Sequence, residues 1–182
     1  MLEIIQGQFF WGIIIGLLLS FFGAWMLARF TVELSHKKLK QNVVKFLIDI
    51  IRNLRSTIND MDANRDRSEA IHHDFLGLID VEIGIYARNR EHLVHLSAPT
   101  RDKVRSFMND CAIKRANIVA NLEDFYPLIN RAKAARSAGR EVKANELEGQ
   151  ALILLTSAQT AADKLVRLAS DGSELLNDLA KE

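Results

Sequence analysis

One cysteine in 182 residues leaves no intramolecular disulfide to close, so the chain must be held together by packing alone. Prolines number two and glycines nine, and only five of those glycines follow Thr31. Turn chemistry is therefore sparse, and no run alternates apolar and polar residues between turn signals as a strand would. Internal repeats and low-complexity linkers are missing as well. So are a P-loop, a Gly-rich dinucleotide turn, a G-x-S-x-G elbow and a Cys-x-x-Cys pair. These absences point away from an enzyme, and no catalytic residue and no cofactor is expected. Lys and Arg total 24 against 23 Asp and Glu, a net charge of +1, and Asp62, Asp66, Glu69, Glu141 and Glu146 dilute the basic residues near the distal turns, which makes a nucleic-acid partner the lesser reading.

A long apolar run is present. Phe9 to Ala28 carries no charge, and at about 1.5 Å per residue its length matches the roughly 30 Å of a bilayer's hydrocarbon core. The run is read as a transmembrane helix over 9–30, with Trp11 and Trp25 near the two headgroup levels. A basic n-region and a small-residue exit, which a cleaved signal peptide needs, are lacking. Nothing basic precedes the run, while Arg29, Lys37, Lys38 and Lys40 follow it. The positive flank predicts a short non-cytoplasmic tail over 1–8 and a cytoplasmic domain over 31–182, in a single-pass protein of the cell membrane. Cys111 fits a reducing compartment.

Within the span, Gly12, Gly16, Ser20, Ala24 and Ala28 recur every fourth residue. Lipid tails are as apolar as leucine, so helices associate in a bilayer where small side chains let backbones approach. The ladder predicts a homo-oligomer.

The remaining residues predict an all-α fold, an antiparallel up-and-down four-helix bundle with helices near 31–62, 67–97, 99–137 and 141–180. Asp66 and Glu69 have capping-box spacing, Ser97 or Thr100 can cap the third helix with Pro99 in its first turn, and Gly139 suits a left-handed C-terminal residue. Apolar stripes at helical period run Val43, Leu47, Ile50, Leu54, Ile58, Met61 in the first helix and Ile71, Phe75, Leu78, Ile85, Leu93, Leu96 in the second. They run Val104, Met108, Cys111, Ile118, Leu122, Ile129 in the third and Leu152, Leu155, Ala162, Val166, Ala169, Leu176 in the fourth. Pro127 is expected to kink or split the third helix.

Three polar residues interrupt these stripes: Glu82, Asn89 and Arg115. A hairpin turning near residue 98 sets position 82 opposite 115, so Glu82 and Arg115 are predicted to meet as a buried pair, fixing helix register or forming a polar switching point. The spacings of Glu69 with His72 and of Glu91 with His95 invite a metal. A carboxylate-bridged bundle site needs a second Glu-x-x-His, however, and none exists, so no metal is expected. Basic residues gather at both ends: Arg65, Arg67, Arg131, Lys133, Arg136, Arg140 and Lys143 near the distal turns, and Arg88, Arg90, Arg101, Lys103 and Arg105 near the membrane. The latter can face anionic headgroups, opposed by Asp171, Glu174 and Asp178 of the returning C-terminal helix. Gly77 and Gly84 mark an outer strip open to another helix. Together these features predict a scaffold or docking module with the lipid bilayer, a second copy and a cytoplasmic protein as partners. The alternative is a pore-forming effector, against which stands the scarcity of polar residues in the span.

Overall fold

The computed structural model describes the backbone over residues 2–64 and 69–182 and the side chains over 20–64 and 74–182. Among the described residues there are four α-helices and no strand: α1 Leu2–Ala63, α2 Glu69–Asn89, α3 Ala98–Ser137 and α4 Glu141–Leu179. A 3₁₀ segment, Arg90–His95, closes α2. The expected all-α class is what the chain forms. Two compact units divide it, Met1–Asn42 and Val43–Glu182.

In the first unit every described side chain from Ser20 to Leu39 is exposed. Phe22 and Trp25 lie with ring centroids 5.9 Å apart, and the Arg29 guanidinium sits 5.6 Å over the Trp25 ring, a cation–π contact. Thr31 donates its hydroxyl to the Leu27 carbonyl at 2.5 Å, so this polar side chain is satisfied within its own helix. No helix among the described residues is long and apolar enough to cross a membrane. Of the expected span, the side chains up to residue 19, Gly12 and Gly16 included, lie outside the described ones.

The second unit is the bundle. Asn53 of α1 donates to Glu82 of α2, Arg55 of α1 donates to the Ala169 carbonyl of α4, Arg115 of α3 reaches Asp80 of α2, and α3 packs on α4 along most of its length. Helices consecutive in the chain are thus neighbours, and α1 also meets α4, which closes the bundle. The stripe read for α1 is buried at every position from Val43 to Met61, and that of α3 from Val104 to Leu122.

The stripes of α2 and α4 are displaced. On α2 the buried line is Leu76, Ile79 and Tyr86, while Leu78 is exposed. On α4 it is Ala144, Leu147, Ala151, Ala158, Ala162, Leu165, Ala169, Gly172 and Leu175, while Leu152 is exposed. Small residues face inward on α4 because α3 approaches closely there. At Gly172 an added Cβ would lie 3.0 Å from Arg55 Cδ and 3.2 Å from the Phe107 ring. The large side chains Leu155, Val166 and Leu176 flank this seam, half-buried.

Three breaks fall near their expected places. Gly139 takes φ +71°, and the bonds from Gly139 N–H to the Arg136 carbonyl and from Arg140 N–H to the Ala135 carbonyl complete a Schellman ending. Ser97 occupies the cap position of α3 with Pro99 in its first turn, but its hydroxyl turns to Thr100 and Glu182 instead of capping. Asp66 and the Glu69 side chain lie outside the described residues. Pro127 does not split α3, which runs through it unbroken with the proline ring on the exposed side.

From the level where Arg55 meets Ala169, α1 has 8 residues left (63 − 55) and α4 has 28 (169 − 141). The α3/α4 hairpin therefore reaches roughly 30 Å beyond the end of α1 at about 1.5 Å per residue. Phe125, Ala132, Ala144, Leu147 and Ala151 are buried within it, outside the main core cluster. Of the expected basic tip only the α3/α4 part is described. Arg65 and Arg67 lie outside the described residues, and the turn at Gly139 stands away from the level of Ala63. Arg136 is held there by Glu148 at 2.6 Å, Asn145 at 3.1 Å and Glu141 at 3.4 Å, and Lys143 by Glu146 at 2.8 Å.

Candidate functional site

Asn89 interrupts the apolar face of α2 because it ends the helix. Its side-chain amide donates to the Ile85 carbonyl at 2.8 Å, a local bond that competes with the helical ladder. The chain then tightens into the 3₁₀ segment, which still brings Leu93 and Leu96 into the core. Beside this rewound turn, α2 and α3 part, and a groove of about 800 Å³ opens between them. Such a volume lies within the roughly 300–1,000 Å³ common for small-molecule sites.

Arg88, Arg90, Arg101 and Arg105 line the groove, against a single carboxylate, Glu91. Its apolar lining includes Leu93 and Met108, both buried, and Val94, 65% exposed. Arg105 is 3.9 Å from Asp102 on its own helix, whereas Arg88, Arg90 and Arg101 make no ion pair among the described residues. Tyr86 also lines the groove. It is 7% exposed, and its hydroxyl has no hydrogen-bond partner among the described residues. Burial pushes the phenol above its usual range, against the pull of Arg105 and Arg90.

The acids expected to oppose these arginines face elsewhere. Asp178 meets Lys103 at 2.5 Å and Glu174 is 4.0 Å from the same ammonium. Lys103 is raised by its bond to Asp178, whose own carboxyl that bond lowers. The negative charge of the C-terminal turn is thus spent on the α3/α4 side, and the α2/α3 groove keeps its positive field. Sequence reading gathered these arginines at one end of the bundle. The helical rotation that separates them from Lys103 and the acids needed the fold.

Glu82 and Arg115 do not meet. Glu82 accepts from Asn53 at 3.1 Å, and Arg115 lies 3.3 Å from Asp80 with its Nε–H directed to the Leu76 carbonyl at 3.4 Å. Neither is fully buried: the one-residue rotation of α2 that exposes Leu78 also carries Glu82 toward α1. A double-mutant cycle on Glu82 and Arg115 is expected to be additive within about 0.5 kcal/mol, and one on Asp80 and Arg115 to give at most about 1 kcal/mol, because both partners touch solvent. Coupling of several kcal/mol between Glu82 and Arg115 in urea denaturation would contradict this register.

Among the ladder residues, Ser20, Ala24 and Ala28 are exposed. Glu69 and His72 have side chains outside the described set, and among the described residues no three His, Cys, Asp or Glu side chains gather closely enough to hold a metal ion. Cys111 is buried in the core, and burial pushes its thiol up to about 12, with Asp110 adding to the rise. It stays protonated and inert as a nucleophile near neutral pH. No family model, no curated protein and no solved structure matches the chain. The described residues define a class, a helical bundle with an arginine-lined cleft.

Proposed function

We propose that this chain is a non-enzymatic, single-pass membrane protein whose cytoplasmic helical bundle serves as a docking module, and which self-associates through its membrane helix. The observation that carries the reading is the exposure of large apolar side chains on α1. Phe21, Phe22, Trp25, Met26, Leu27 and Phe30 are each at least half exposed, and at 100° per residue they span about 240° of the helix, with Ala24 and Ala28 in the remaining arc. A helix apolar all round is stable only in an apolar surrounding. The uncharged run from Phe9 supplies the length for a bilayer, and the positive flank from Arg29 gives the orientation. Ser20, Ala24 and Ala28 are exposed among the described side chains, which supports a ladder open to a second copy.

The test is membrane fractionation of the full chain with association read in a membrane two-hybrid assay. The protein should resist extraction by alkaline carbonate, and Gly12→Ile with Gly16→Ile should leave insertion intact while association falls by about tenfold. Release by carbonate would sink the membrane reading. Unchanged association would reduce the span to an anchor.

A further inference from the structure

We propose that the groove between α2 and α3 binds the headgroup of an anionic phospholipid, with the arginines on the phosphate and the apolar lining under the glycerol and first methylenes. Guanidinium groups match phosphate oxygens in a planar, two-point geometry, and four of them here face one carboxylate. Arg88, Arg90 and Arg101 are not engaged by any acid among the described residues, so a phosphate would displace no internal ion pair from them. The Tyr86 hydroxyl, on a side chain 7% exposed overall and without a hydrogen-bond partner among the described residues, supplies a further donor. A purely inorganic anion would leave Val94 and the apolar lining in water, whereas an amphiphile covers both.

The preference for a lipid over a soluble phosphate rests on the membrane reading above. Val43, where the bundle begins, follows Ala28 by 15 residues (43 − 28), which bounds its distance from the end of the apolar run to about 50 Å even in extended chain. A tethered groove meets headgroups at high local concentration.

The experiment uses the full chain in a non-ionic detergent, with bound lipid counted by native mass spectrometry after addition of phosphatidylglycerol or phosphatidylcholine. Phosphatidylglycerol should be retained about tenfold more than phosphatidylcholine, and that excess should vanish when Arg88, Arg90 and Arg101 are all changed to glutamine. Changing Arg131 and Lys133 on the distal hairpin to glutamine should leave the excess in place. Far-UV melting curves of both variants should overlay the parent, since these side chains lie outside the core; a triple variant that melts early is replaced by the three single changes, each of which should lower the excess. Equal retention of the two lipids, or full retention by the triple variant, would overturn the proposal. Sodium pyrophosphate binding as tightly as the lipid would overturn the lipid source in favour of a free phosphate, and displacement of the lipid by an equal concentration of a poly-glutamate peptide would overturn it in favour of an acidic protein. Carbonate release of a chain that still prefers phosphatidylglycerol in detergent would remove the anchor and leave the groove standing.

Discussion

Leu165→Ala is expected to lower the unfolding free energy by about 3–5 kcal/mol, while Leu152→Ala on the same helix changes it by less than about 0.5 kcal/mol. Leu165 is 0% exposed at the heart of the main core, and the cavity left by its isobutyl group would be lined by side chains that relax only in part. Leu152 is 63% exposed and gives up little when truncated. Urea denaturation of the full chain in mild detergent, followed by far-UV ellipticity, gives both values under one condition. The pair is a direct test of helix rotation, because hydropathy alone ranks the two leucines equally and the expected stripe contained Leu152 rather than Leu165. Equal losses at the two sites would turn α4 about its axis relative to the packing described above.

Gly172→Leu should destabilise the bundle by about 1–3 kcal/mol or more through overpacking. The Gly172 backbone lies where α4 comes against Arg55 of α1 and Phe107 of α3. Arg55 can swing its end away, but the Phe107 ring is 5% exposed and fixed by its neighbours. Gly77 on α2 is the counter-case. An added Cβ there meets nothing within 4 Å, so Gly77→Ala should raise stability by up to about 1 kcal/mol through helix propensity alone. Opposite signs at two helical glycines are the expected result in thermal melts. If Gly172→Leu were neutral, the close approach of α4 to α1 and α3 would be wrong.

The acidic partners of Lys103 and Arg136 show how the same geometry disperses charge. Asp178 and Glu148 are taken up by cations on the α3/α4 side, one at each end of that helix pair, so neither reaches the cleft between α2 and α3. A positive field survives in a chain whose charges nearly cancel because the helices sort them by face.

Sequence by itself determined the helical class, the number of bundle helices and the places where they turn. Sparse glycine and proline leave few breaks, and periodic apolar residues over four long segments have no other regular solution. It also determined the buried faces of α1 and α3, where large residues such as Leu47, Leu54, Val104 and Met108 dominate one side without competition. Rotation of α2 and α4 was decided only by tertiary structure. On those helices two adjacent stripes are both apolar, and choosing between them depends on how closely a neighbouring helix approaches, which favours alanine and glycine over leucine at the contact. The same rotation parted Glu82 from Arg115, gave Arg115 to Asp80 and left four arginines around one cleft. Side chains near in sequence share a helix, but which of them share a surface depends on a turn of about 100° per residue that only packing against the other helices fixes.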